Sequence, residues 1–129
     1  MKTIFKWGAF AALSAAALLS QNSGIQRTVV HRADVSSVPG REAVIARVEI
    51  AAGARAGRHT HPGEEITYVM EGEGEILVEG QPARKVKAGD GFVIPMGAKH
   101  DAHNTGAMPM KLAGIYVVEK GKPLATPAP

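Results

Sequence analysis

Apolar and polar residues alternate with a period of two over residues 44–50. Val44, Ala46, Val48 and Ile50 share one parity and Ile45, Arg47 and Glu49 the other, as in a strand with one buried face. Ala51-Ala52-Gly53 ends it. Residues 65–70, Glu-Ile-Thr-Tyr-Val-Met, predict a second strand. The Glu71-Gly72-Glu73-Gly74 that follows offers the glycines of a tight turn with positive φ, so a hairpin into Ile76-Leu77-Val78 is expected. A turn at Gly80-Gln81-Pro82 leads to a short strand at Lys85-Val86-Lys87, which Ala88-Gly89-Asp90-Gly91 stops. Phe92-Val93-Ile94 enters Pro95, and Leu112 to Glu119 forms the last clear strand. Helix signals are missing. Short strands separated by turn residues predict an all-β sandwich or small barrel.

The ends of the chain read differently. Lys2 and Lys6 precede an uncharged run of 13 residues, Trp7 to Leu19, and then Gln-Asn-Ser-Gly. A spanning helix needs about 20 apolar residues, so residues 1–22 are expected to be a secretory signal peptide cleaved between 20 and 24. No twin arginine precedes the run, which favours the general secretory route and a periplasmic or secreted product with no stable membrane anchor. Residues 25–120 then form one domain, and 121–129 a Pro-rich C-terminal tail.

Charge and composition narrow the chemistry. The 129 residues carry a formal charge of +3, and removing Lys2 and Lys6 leaves 3 − 2 = +1. Basic residues are scattered among acidic ones with only six aromatics, so no nucleic acid partner is expected. Zero cysteines exclude disulfides and thiolate ligands. Any metal must be held by nitrogen and oxygen.

Four residues meet that requirement: His59, His61, Glu65 and His100. On a strand, residues i and i+2 face the same way with Cα atoms roughly 6.6 Å apart, so His59 and His61 can hold one ion. Pro62-Gly63-Glu64-Glu65 turns the chain, and the parity of 61, 63 and 65 favours Glu65 as the inward carboxylate, leaving Glu64 solvated. His100, 35 positions beyond Glu65, must come from another strand across the barrel. Three imidazoles and a carboxylate suit divalent Fe, Mn, Co, Ni, Cu or Zn, with positions left for water, dioxygen or a substrate. Glu65 is also a candidate base. His103, an odd number of residues from His100, should face the surface, and His31 reads as structural. Asn104 could orient His100 or cap the turn at Thr105-Gly106. Gly72, Gly89, Gly97 and Pro95 serve the backbone. Tyr68, Met70, Phe92 and Ile94 are expected in the core or, as the alternative, lining the cavity.

These residues sit in two spaced motifs. The first runs from Gly53 through His59, His61 and Glu65 to Gly72. The second is Gly89, five residues, Pro95, one residue, Gly97, two residues, His100, three residues, Asn104. Together they resemble the two signature motifs of the cupin superfamily, and the similarity extends from about Ile25 to Pro123. The resemblance implies a double-stranded β-helix, or jelly-roll barrel, usually a homodimer, with a divalent metal on the four residues above. The 16 residues between Gly72 and Gly89 suggest a compact barrel without a long lid. Cupins span many reactions, so fold does not settle function. Flavonol-type or other dioxygenase chemistry on a small oxygenated compound is the leading expectation. The alternative is a module that binds a carboxylate or sugar acid without turnover.

Overall fold

The computed structural model describes residues 24–129, so the expected leader lies outside the described residues. Ten strands form the described elements: β1 (Ile25–Asp34), β2 (Arg41–Ile50), β3 (His59–Thr60), β4 (Gly63–Glu71), β5 (Glu73–Val78), β6 (Arg84–Lys87), β7 (Gly91–Ile94), β8 (His100–His103), β9 (Met110–Glu119) and β10 (Thr126–Pro127). They build two five-stranded antiparallel sheets, ordered β1-β2-β9-β4-β7 and β10-β3-β8-β5-β6. This is the expected all-β double-stranded β-helix. Among the described residues no helix is long and apolar enough to cross a membrane.

Alternation decides which residues are buried. Along β2, Val44, Ala46, Val48 and Ile50 point inward, and β9 repeats the pattern with Met110, Leu112, Tyr116 and Val118. Val69, Ile76, Val86, Phe92 and Ile94 complete the core between the sheets. Burying a large aliphatic side chain contributes about 1.5–3 kcal/mol, so matched parity across β2, β9 and β4 stabilises both the sheet and its register.

Three expectations are corrected. Residues 71–74 do not close a hairpin, because β4 pairs with β7 and β9 whereas β5 pairs with β6 and β8. Gly72, at φ 84°, instead carries the chain from one sheet to the other. Tyr68 and Met70 are not core: they are 51% and 40% exposed, since they share the parity of Glu64 and face outward from β4. The segment 121–129, expected as a tail, lies against the barrel, with Thr126 opposite Thr60 and Pro127 opposite His59. Strand β1 carried no recognisable alternation because it is an edge strand, exposed over most of its length and interrupted between Val29 and His31. His31 is exposed there, away from the cluster of titratable residues.

Candidate metal centre

The two sheets bring together His59, His61, Glu65 and His100, whose ligand atoms all lie within 4.8 Å of one another. His59 on β3 is the direct partner of His100 on β8, so these two rings are neighbours within one sheet. Glu65 faces them from β4 in the other sheet. Gly63 lets β4 lie close against β9 in that sheet: a Cβ there would lie 1.9 Å from the Val117 carbonyl oxygen. His61 follows β3 immediately, and its carbonyl accepts the Gly97 N–H at 3.1 Å, which ties it to the loop that aims His100.

The histidine tautomers follow from their backbone partners. His59 Nδ1–H donates to Gly57 O at 2.5 Å, His61 Nδ1–H to Leu124 O at 2.6 Å, and His100 Nδ1–H to Ala98 O at 2.9 Å. A carbonyl can only accept, so each neutral ring directs a bare Nε2 lone pair inward. His59 Nε2 stands 3.2 Å from His61 Nε2. Glu65 Oε2 stands 2.9 Å from His61 Nε2 and 3.0 Å from His100 Nε2. Facing lone pairs and a carboxylate repel unless a proton or a metal ion lies among them. Donors on perpendicular bonds of about 2.1 Å to one ion are about 3.0 Å apart, close to these spacings. The residues fit a divalent ion.

The charges agree with that picture. Burial opposes the charged form of His59 and, with His100, His61 and Arg27 nearby, takes its pKa down to about 4 against the effect of the Gly57 bond. Burial alone would raise the Glu65 carboxyl. Bonds from His100, His61 and Thr67 outweigh burial and hold it well below the usual carboxylate range. For His100 burial works downward, but the Glu65 contact and the Ala98 carbonyl prevail and raise it. The Glu65 contact thus favours the protonated form of His100, whereas burial disfavours that of His59.

Three residues of the site were missed from the sequence. Thr67 Oγ1–H donates to Glu65 Oε1 at 2.7 Å, a position two residues along the same face that parity could have found. Tyr116 is buried with its ring centroid 4.7 Å from that of His61. Burial and the Glu65 charge push its phenol up to about 12, with Arg27 pulling the other way. Arg27 enters from β1, where no strand was expected. The remaining candidates fall outside the cluster. His103 is half-buried on the opposite side of β8 from His100. Asn104 is fully buried and caps the turn: its Nδ2 donates to Ile50 O and Met108 O, and its Oδ1 accepts from Gly106 N. Phe92 and Ile94 are core, and Glu64 is exposed, as expected.

The profile of the Cupin domain family matches residues 46–119, and the chain belongs to that family. The oxalate-binding protein of Thermotoga maritima is 28% identical over 91 residues, covering 70% of this chain and 74% of that protein. Dimethylsulfoniopropionate lyase DddQ of Ruegeria pomeroyi is 45% identical over 42 residues, 33% of this chain and 21% of the lyase. Its crystal structure aligns with a TM-score of 0.59 at 29% identity, covering 67% of this chain and 43% of the lyase. The chain thus spans less than half of the lyase. A conserved Klebsiella pneumoniae protein with a double-stranded β-helix domain aligns with a TM-score of 0.65 at 24% identity, covering 81% and 87% of the two chains.

Proposed function

We propose that His59, His61, Glu65 and His100 hold one divalent transition metal, Fe, Mn, Co, Ni, Cu or Zn, and present it to a small oxygenated compound. The observation that carries this reading is the set of three Nδ1–H donations to backbone carbonyls, which turns all three Nε2 lone pairs inward, those of His61 and His100 against the Glu65 carboxylate and that of His59 against His61. A bound ion would supply Lewis acidity and open positions for an oxygen donor. The chain supplies the rest: Gly57, Ala98 and Leu124 hold the rings, Thr67 holds the carboxylate, and Tyr116 and Leu112 help wall off water. Elemental analysis of the purified protein beside a His59→Ala/His100→Ala variant tests this. Near-stoichiometric metal that the variant loses is expected; no metal in either protein overturns the reading.

The interior sets the size of the ligand. The cavity beside His59, Glu65, His100 and Tyr116 measures about 20 Å³, whereas pockets for drug-sized ligands span about 300–1,000 Å³. A flavonol does not fit there; the space takes about one water-sized group, such as a single carboxylate oxygen. The relatives point the same way, since oxalate and dimethylsulfoniopropionate are both carboxylates. Capture of a small carboxylate is accordingly the favoured form. It predicts a thermal shift with oxalate that leaves the oxalate intact. Dioxygenase turnover is the second reading, favoured by a nitrogen and oxygen donor set that suits iron or copper. Dioxygen uptake with a panel of phenols would establish it. Glu65 serves as a base only if it parts from His61, His100 and Thr67, because those contacts keep it ionised and weakly basic.

Two further proposals concern location and assembly. Export rests on the apolar run behind Lys2 and Lys6, and N-terminal sequencing of protein from the periplasm should find a start between residues 20 and 24. Self-association rests on an outward row across four strands, Ile45, Ile115, Ile66 and Val93, which the strand register places side by side. Ile45, Ile66 and Val93 are exposed, and such apolar patches mark interfaces. A homodimer in sedimentation that Ile66→Glu converts to a monomer is expected.

A further inference from the structure

Arg27 stands opposite Val48 in the β1–β2 pair, and partners across an antiparallel pair share a face. Its side chain therefore enters the barrel beside Val48 and Ile50. There the guanidinium lies beside the Tyr116 hydroxyl and acts on His59 and His100 through its charge. Its Nε is buried and, among the described residues, has no hydrogen-bond partner. The nearby carboxylate does not supply one, because Glu65 directs its oxygens at His61, His100 and Thr67. A buried N–H left unpaired is rare in a native fold, and on a cation it is costly.

Two spaces meet at this side chain. Inward lies the cavity of about 20 Å³ with the histidines. Outward lies a recess of about 380 Å³ bordered by Ile25, Ala56, Arg58, Ala125 and Pro127. Arg27 and His59 line both. Arg27 and the His59 imidazole thus stand together where the two spaces meet.

We propose that Arg27 is the anion-recognising residue of this site. A small carboxylate enters by the outer recess, accepts the orphaned Nε–H with one oxygen, and brings its head to the histidine cluster. This inference rests on the reading of that cluster as a metal-dependent ligand site and names its ligand class, a small organic anion. Neutral sugars and neutral amides of the same shape are discriminated against, because a carboxylate oxygen accepts from a cationic donor more strongly than a neutral oxygen does.

The test is calorimetric titration of oxalate, and of oxamide as its neutral counterpart, into zinc-loaded and metal-free protein. Arg27→Gln should weaken oxalate binding roughly 10- to 100-fold and leave oxamide binding and zinc content unchanged. Equal oxalate affinity in a folded Arg27→Gln protein overturns the proposal, as does a wild type that does not prefer oxalate to oxamide. If the wild type takes no zinc yet its oxalate binding still depends on residue 27, the metal reading falls and this one stands. A measurement on the wild type alone guards against a variant that fails to fold. The Nε–H resonance of Arg27 should shift on addition of oxalate, and no shift at saturating oxalate refutes the contact.

Discussion

Replacing Thr67 with valine removes one hydroxyl and keeps the shape of the side chain. That hydroxyl is buried and donates to Glu65 Oε1 at 2.7 Å, holding the carboxylate whose other oxygen lies against His61 and His100. A hydrogen bond to a charged group contributes about 1.5–3 kcal/mol, and the new buried methyl returns about 0.8 kcal/mol. The metal-free protein should therefore lose about 1–2 kcal/mol. At about 4–8 °C per kcal/mol for a domain near this size, Tm should fall by about 4–16 °C. Metal affinity should fall as well, by roughly 10- to 100-fold, as when a group that orients a ligand is removed. Calorimetry of chelator-stripped protein measures the first effect, and competition with a chromophoric chelator the second. Thr67→Ser, which retains the hydroxyl, should recover most of the metal affinity. Unchanged Tm and unchanged metal affinity in Thr67→Val would refute the claim that this hydroxyl orients Glu65.

Gly63→Ala should cost about 2–3 kcal/mol or more in urea unfolding, because its Cβ would meet the Val117 backbone; an unchanged midpoint would contradict the close β4–β9 approach. Deleting residues 123–129 removes the Leu124 carbonyl that orients His61 and the short β10 pairing, so metal affinity should drop about tenfold or more in a protein that still folds. Equal affinity would show that His61 needs no strap. The metal-free protein should lose stability as pH falls from about 6.5 toward 4. His59, with a pKa lowered to about 4, resists the proton that the unfolded chain accepts. The loss should continue at lower pH, where Glu65, with its lowered pKa, becomes protonated. His100 acts in the opposite sense: its raised pKa stabilises below about 6.5, and that contribution disappears as pH rises through the raised value. Metal affinity should rise over that same upper interval as His100 gives up its proton, and flat metal affinity from pH 6 to 9 would count against the assigned protonation.

Local chemistry made much of this molecule legible from its residues alone. Period-two alternation over 44–50 and 112–119 marks buried strand faces, whatever those faces pack against. The parity of His59, His61 and Glu65, with the glycines and proline spaced around His100, identifies four metal-site candidates because side chains two apart on a strand share a face. The same parity, applied further along β4, places Thr67 inward and Tyr68 and Met70 outward, so the misplaced pair reflects a signal present in the chain but not followed. Pairing between distant segments is a different matter. Whether Gly72 closes a hairpin or crosses between sheets depends on β4 finding β9 and β7, and no residue near Gly72 encodes those partners. The docking of Leu124 against His61, the arrival of Arg27 from an edge strand without alternation, and the narrowness of the inner cavity likewise come from contacts remote in sequence. Strand periodicity is a property of neighbours along the chain, and the sequence by itself determined it together with the identity of the four candidate ligand residues. Which carbonyl holds each ring, and which cation lies beside the imidazoles, were decided only by tertiary structure, because those interactions exist only once the two sheets have closed on one another.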